Sequence, residues 1–151
     1  MAEIRFYTLE AAGGTARLRQ ACKLTEQAWL AGERVLVWLQ DAHQLARFDQ
    51  LLWTFSDRAF VPHETLALNP LQCEAPVQLH DGAALDARIL EGGFATLVNL
   101  RDAPAPEVLR FDRVIEVLDG AADCRSAGRA RFRFYRESGA DPQHIAMNDN
   151  G

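Results

Sequence analysis

The sequence predicts an α/β domain built on an open, mostly parallel sheet with helices on its faces. Three observations carry this reading. Short apolar segments alternate with amphipathic stretches along the chain. One of them, Arg34-Val35-Leu36-Val37-Trp38-Leu39, is nearly continuous, as in a strand covered on both faces. The 151 residues, 48% hydrophobic and 25% charged, suit one globular core. A chain of this size buries roughly 70% of the surface its unfolded form exposes, so folding calls for neither metal nor disulfides. The expected organisation is a single α/β domain over residues 1–138, with a polar, frayed C-terminal tail over 139–151.

The elements follow in order. Ile4-Arg5-Phe6-Tyr7-Thr8-Leu9 is rich in β-branched and aromatic residues and runs into Ala11-Ala12-Gly13-Gly14, a strand followed by a turn. From Thr15 to Ala31, Leu18, Ala21, Cys22, Ala28 and Trp29 keep near-helical spacing, and Gly32 stands where a helix ends in glycine. After the apolar strand, Asp41 and Gln44 form a capping pair. Leu45, Phe48, Leu51, Leu52 and Phe55 then mark an amphipathic helix. Residues 69–76 read as a turn-rich connection flanked by proline. Further strands are expected at 77–79, 95–100 and 114–118, with Pro104 and Pro106 breaking the chain between the last two. A helix over 120–137 closes the fold. The sequence contains no internal repeat and no low-complexity segment.

Several functions lack their sequence signals. The first strand-to-helix turn, Leu9-Glu10-Ala11-Ala12-Gly13-Gly14-Thr15, is neither GxGxxG nor GxxxxGK[ST], so a nucleotide-binding loop is not indicated. His43, His63, His80 and His144 show no metal-ligand spacing, and Cys22, Cys73 and Cys124 form no CxxC. The cysteines read as reduced thiols, Cys22 and Cys124 at apolar helical positions. No GxSxG elbow surrounds a serine. No cofactor is expected. The N-terminus has no basic start followed by an apolar core, and no run approaches the ~18 apolar residues of a membrane span. A cytoplasmic protein without membrane contact is the expectation.

Two surfaces stand out. With residues placed about 100° apart from Leu45, the stripe of Leu51, Phe55, Phe48, Leu52 and Leu45 leaves Trp53 well away from its centre. The apolar, proline-stiffened Phe60-Val61-Pro62-His63 follows. Trp53 either packs beneath that loop or forms an exposed aromatic contact. On the last helix, Arg125, Arg129, Phe132, Arg133 and Arg136 share one face, while Arg131 intrudes among Cys124, Ala127, Phe134 and Tyr135 and must snorkel or pair. The net charge is -5, yet residues 110–136 hold seven arginines against four acids, a local excess of +3 that leaves -8 elsewhere. Guanidinium forks beside an aromatic ring suit an acidic peptide with hydrophobic residues. They also suit single-stranded nucleic acid, although the overall acidity argues against it.

These residues resemble a known family. Arg5-Phe6-Tyr7, Gly32-Glu33-Arg34-Val35-Leu36-Val37, Asp49-Gln50-Leu51-Leu52-Trp53, Phe60-Val61-Pro62-His63, Pro76-Val77 and the run from Arg129 to Arg136 followed by Gly139 are similar to the chi subunit of bacterial DNA polymerase III, over nearly the whole chain. The resemblance implies a Rossmann-like fold and a non-catalytic accessory subunit associated with the clamp loader. It also implies two partners, the psi subunit and the acidic C-terminal tail of single-stranded DNA-binding protein, and no sequence-specific DNA contact. By matching positions, the tail pocket would comprise Trp53, Phe60, Arg125, Arg129, Phe132 and Arg133. The family often has Tyr where Phe132 stands and Lys where Arg125 and Arg133 stand, so a hydroxyl is lost while charge is kept. The residues binding psi carry no motif that can be mapped.

Overall fold

The structure, a computed structural model, describes residues 2–57, 60–65 and 75–147. Seven strands, β1 (Glu3–Thr8), β2 (Val35–Trp38), β3 (His63–Thr65), β4 (Val77–His80), β5 (Thr96–Asn99), β6 (Arg113–Leu118) and β7 (Gln143–Ala146), form one sheet in the order β3-β4-β2-β5-β6-β1-β7. Every strand pair is parallel, for example Ile4 opposite Val114 and Val37 opposite both Leu79 and Val98. This is the Rossmann-like α/β arrangement expected. The helices are α1 (Gly14–Leu30), α2 (Ala42–Thr54), the short α3 (Ala87–Leu90) and α4 (Ala122–Glu137).

Helix boundaries follow local chemistry. Asp41 caps α2, its side chain accepting from Gln44 N–H at 2.8 Å, while the Gln44 amide oxygen accepts from Gln40 N–H at 2.7 Å. At the end of α1, Gly32 takes the left-handed φ of 86°, and Glu33 N–H reaches back to the Ala28 carbonyl. The loop from β1 to α1 and the loop from β6 to α4 also meet. Gly120 donates its N–H to the Ala11 carbonyl at 2.9 Å, and a Cβ at Gly120 would collide with the Glu10 carbonyl.

Alternation along the strands builds a core on each face of the sheet. Tyr7, Val35, Val37, Val77, Leu79, Val98, Ile115 and Val117 pack under α1 and α2. Ile4, Phe6, Leu36, Trp38, Leu97, Val114 and Leu118 face the other way, toward α3 and α4. Strands buried on both sides explain the nearly continuous apolar runs.

Two strands were not expected. β3 has three residues and lies at one edge, mostly exposed. The tail expected to fray from Gly139 instead supplies β7, which pairs with β1 at the opposite edge, and Ala140 is buried. Edge strands bury little, so Gln143-His144-Ile145-Ala146 needs few apolar residues and reads as a tail. Of the connection expected at 69–76, residues 69–74 lie outside the described residues, as do Cys73 and tail positions 148–151.

Candidate functional site

The α4 helix is held to the sheet by its intruding arginine. Arg131, 1% exposed, donates from Nε to a Glu116 carboxylate oxygen at 2.9 Å and from Nη1 to the Asp102 carbonyl at 3.1 Å. Tyr135 O–H donates to the other Glu116 oxygen at 2.6 Å, and Asn99 donates to it at 2.9 Å. Burial and the neighbouring Glu116 raise the Tyr135 phenol far above its ordinary range, keeping it a donor. With Arg131 and Tyr135 turned inward, Arg125, Arg129, Arg133 and Arg136 lie on the outer side of α4.

Beside that outer side lies a groove of about 270 Å³ between α4 and the β1–β7 edge. Phe6 and Leu118 furnish its apolar floor, Thr8 and His144 one wall, and Arg125, Gly128, Arg129 and Phe132 the other. Gly128 lets α4 pack close to the sheet beside the groove: a Cβ there would stand 2.5 Å from the Leu118 side chain. Phe132 packs against Phe6 with ring centroids 5.2 Å apart, and the Arg136 guanidinium covers it at 5.9 Å. Arg125 reaches the Leu9 carbonyl at 3.4 Å, whereas Arg129 is exposed. An apolar floor with a basic rim can receive a hydrophobic side chain and an adjoining carboxylate.

Trp53 and Phe60 lie elsewhere. Their rings are 5.8 Å apart, and they are 53% and 60% exposed, so Trp53 stands at the surface and is not packed out of solvent beneath the loop. His63 supports them. Its ring centroid is 4.8 Å from Trp53, and its two nitrogens contact the Val61 carbonyl at 2.7 Å and the Asp49 carboxylate at 2.9 Å. Trp53 ends α2 on the α1 face of the sheet, and β3 is the edge strand farthest from β7. Six strand spacings of roughly 4.8 Å put those edges about 29 Å apart.

The six residues assigned to one pocket therefore divide. Arg125, Arg129 and Phe132 line the groove, Arg133 sits exposed on the same helix just beyond it, and Trp53 with Phe60 forms a separate patch. Sequence reasoning missed Phe6, Thr8, Leu118, Gly128 and His144 as groove residues. Of these only Gly128 left a signal, since glycine inside a helix marks close packing. Among the described residues, no group of three or more His, Cys, Asp or Glu is placed to hold a metal ion, and no helix is long and apolar enough to cross a membrane.

A family model described as DNA polymerase III chi subunit, HolC, matches residues 1–143. The chain belongs to the DNA polymerase III chi subunit family. This bears out the resemblance read from the Leu-Trp, Phe-Val-Pro-His and arginine-rich segments. A relative named DNA polymerase III subunit chi from Pseudomonas aeruginosa is 36% identical over 140 residues, covering 92% of this chain and 92% of the relative. The protein of that name from Escherichia coli K12 is 27% identical over 143 residues, covering 92% of this chain and 94% of its own. Among solved structures, T4 UvsW superposes with a TM-score of 0.68 at 10% identity, over 98% of this chain. The chain spans 42% of that structure's length, and the likeness is one of fold. Family membership makes this a DNA replication protein, a component of the polymerase III assembly.

Proposed function

We propose that the chain is a non-catalytic subunit, associated with the clamp loader, that links single-stranded DNA-binding protein to the polymerase III holoenzyme through two separate surfaces. The basic groove takes the acidic C-terminal tail of single-stranded DNA-binding protein. Arg129, aided by Arg125 and Arg133, pairs with its carboxylates, and a hydrophobic side chain of the tail enters over Phe6 and Leu118. The observation that carries this reading is the coincidence of an apolar floor and an arginine rim on one open groove.

Trp53 and Phe60 serve the second partner, the psi subunit. Adjoining exposed aromatics braced by a buried histidine make a preformed anchor site. Their distance from the groove lets both partners be held at once. Direct binding of single-stranded DNA by the Arg/Phe face is disfavoured, because Phe132 is partly buried and already packs against Phe6, which leaves a base little of its ring to stack on.

The test is calorimetric titration of the native chain with a synthetic tail peptide and, separately, with a single-stranded oligonucleotide at low salt. Peptide binding that is lost in Arg129→Glu, with no oligonucleotide binding, supports the reading. Peptide binding unaffected by Arg129→Glu would overturn the groove assignment, and tight oligonucleotide binding would favour the nucleic-acid alternative.

A further inference from the structure

β7 ends the sheet, and among the described residues no strand lies beyond it. In a parallel ladder the N–H and C=O of one residue point to the same side, and that side alternates along the strand. Met147 N–H donates to the Thr8 carbonyl at 2.8 Å, so Met147 and Ile145 face β1. His144 and Ala146 therefore turn their N–H and C=O groups to the open edge, and both residues are exposed.

That edge lacks the usual safeguards. Charge, proline or a bulge commonly shields an edge strand from further pairing. Gln143-His144-Ile145-Ala146 holds no acid, no lysine or arginine and no proline, and it runs in unbroken register along Arg5 to Thr8. The opposite edge differs, since β3 has three residues and one of them is Glu64. The basic groove opens beside β7: His144 forms part of its wall, and the residue opposite His144 in the register, Phe6, forms part of its floor. A peptide leaving the groove over His144 reaches the free edge within one strand spacing of roughly 4.8 Å. Arg125 and Arg129 line the way out, so charge complementarity makes the incoming strand an acidic one.

We propose that an acidic peptide seated in the groove continues along β7 as an eighth strand, hydrogen-bonded to the backbone of His144 and Ala146. The proposal rests on the tail-binding reading above and adds backbone pairing to the side-chain recognition in the groove. Calorimetry with synthetic tail peptides tests it, each peptide N-methylated at one successive backbone nitrogen and titrated into the native chain. Strand pairing predicts losses that alternate along the peptide, about fivefold or more where the lost N–H faces β7 and little at the residues between. Ala146→Pro should weaken the unmodified peptide similarly while keeping a near-native thermal midpoint, because the N–H it removes points away from β1 and edge strands accept proline there. N-methylation without alternating losses, or native affinity in a folded Ala146→Pro, would overturn the inference while leaving the tail reading intact. Dimerisation of the native chain that Ala146→Pro abolishes would give the edge to a second copy and overturn it as well. No binding of the unmodified peptide would overturn both readings.

Discussion

Arg131 and Glu116 form an ion pair sealed between α4 and the middle of the sheet, with Nε to carboxylate 2.9 Å and both side chains almost wholly excluded from solvent. Its neighbours, Tyr135 and Asn99, complete the carboxylate's hydrogen bonds, so a basic residue on the inner side of α4 becomes the helix's anchor. The pair also decides which arginines remain outside to form the groove rim.

Removing one partner should be far worse than removing both. Arg131→Ala leaves Glu116 as an uncompensated buried charge and is expected to cost about 3–5 kcal/mol. The double change Arg131→Met with Glu116→Leu should cost clearly less than the single one. Urea unfolding followed by circular dichroism checks this, and additive losses would show that the two residues do not act as a unit.

Gly120 is expected to tolerate no side chain. Its Cβ would meet the Glu10 backbone carbonyl, not a side chain able to swing away, so Gly120→Ala must separate the loops that follow β1 and β6. A loss of about 1–3 kcal/mol is expected from such overpacking, visible as a lowered thermal midpoint. An unchanged midpoint would mean that the loops yield freely.

Burial pushes the Cys22 thiol up to about 12 from an ordinary 9.0, which sets an alkaline limit on stability. A raised folded-state value means that the native chain holds its proton while the unfolded chain loses it. The contribution is therefore complete below about pH 9 and is lost progressively as pH rises toward 12. A Cys22→Ala variant should show a shallower stability decline over that window. At pH 8, native Cys22 should resist alkylation until the chain unfolds.

The strands and helices of the core were legible because their side chains obey one solvent rule each. Val35-Leu36-Val37-Trp38 is buried on both faces and reads as a continuous apolar run, while Asp41, Gln44 and Gly32 mark helix ends through backbone chemistry that is local in sequence. β3 and β7 escaped because an edge strand owes its existence to a neighbour, not to its own hydrophobicity. The site was half legible for a similar reason. Helical spacing brought Arg125, Arg129 and Phe132 together, but Trp53 and Arg129 are related only through sheet order, and β3 and β7 set that order. Arg131 was recognised as needing a partner, yet nothing local named Glu116 on β6.

Arg129→Glu should reduce affinity for the acidic tail by about tenfold or more, since it removes a charge-assisted contact and adds repulsion. Because Arg129 is exposed and bonds to no core group, its thermal midpoint should match that of the native chain. Binding should also weaken with salt, as the Debye length falls from about 10 Å at 0.1 M to about 3 Å at 1 M. A salt-insensitive affinity would mean that the apolar floor, not the arginine rim, holds the peptide.

Trp53→Ala separates the two surfaces. The ring is half exposed and touches Phe60 and His63, so its loss should cost little stability while removing an anchor for psi, typically worth about 2 kcal/mol or more. Psi should then fail to co-purify with the variant, yet the tail peptide should bind as before, because about 29 Å separates the two sheet edges. The reciprocal result is expected of Arg129→Glu, with psi retained and the tail lost. If Trp53→Ala weakened the peptide and Arg129→Glu released psi, the two patches would have to be one energetic unit. One continuous, fully parallel sheet lies between them, and among the described residues no side-chain contact joins the two patches, so independence of the two partners is the sharper expectation.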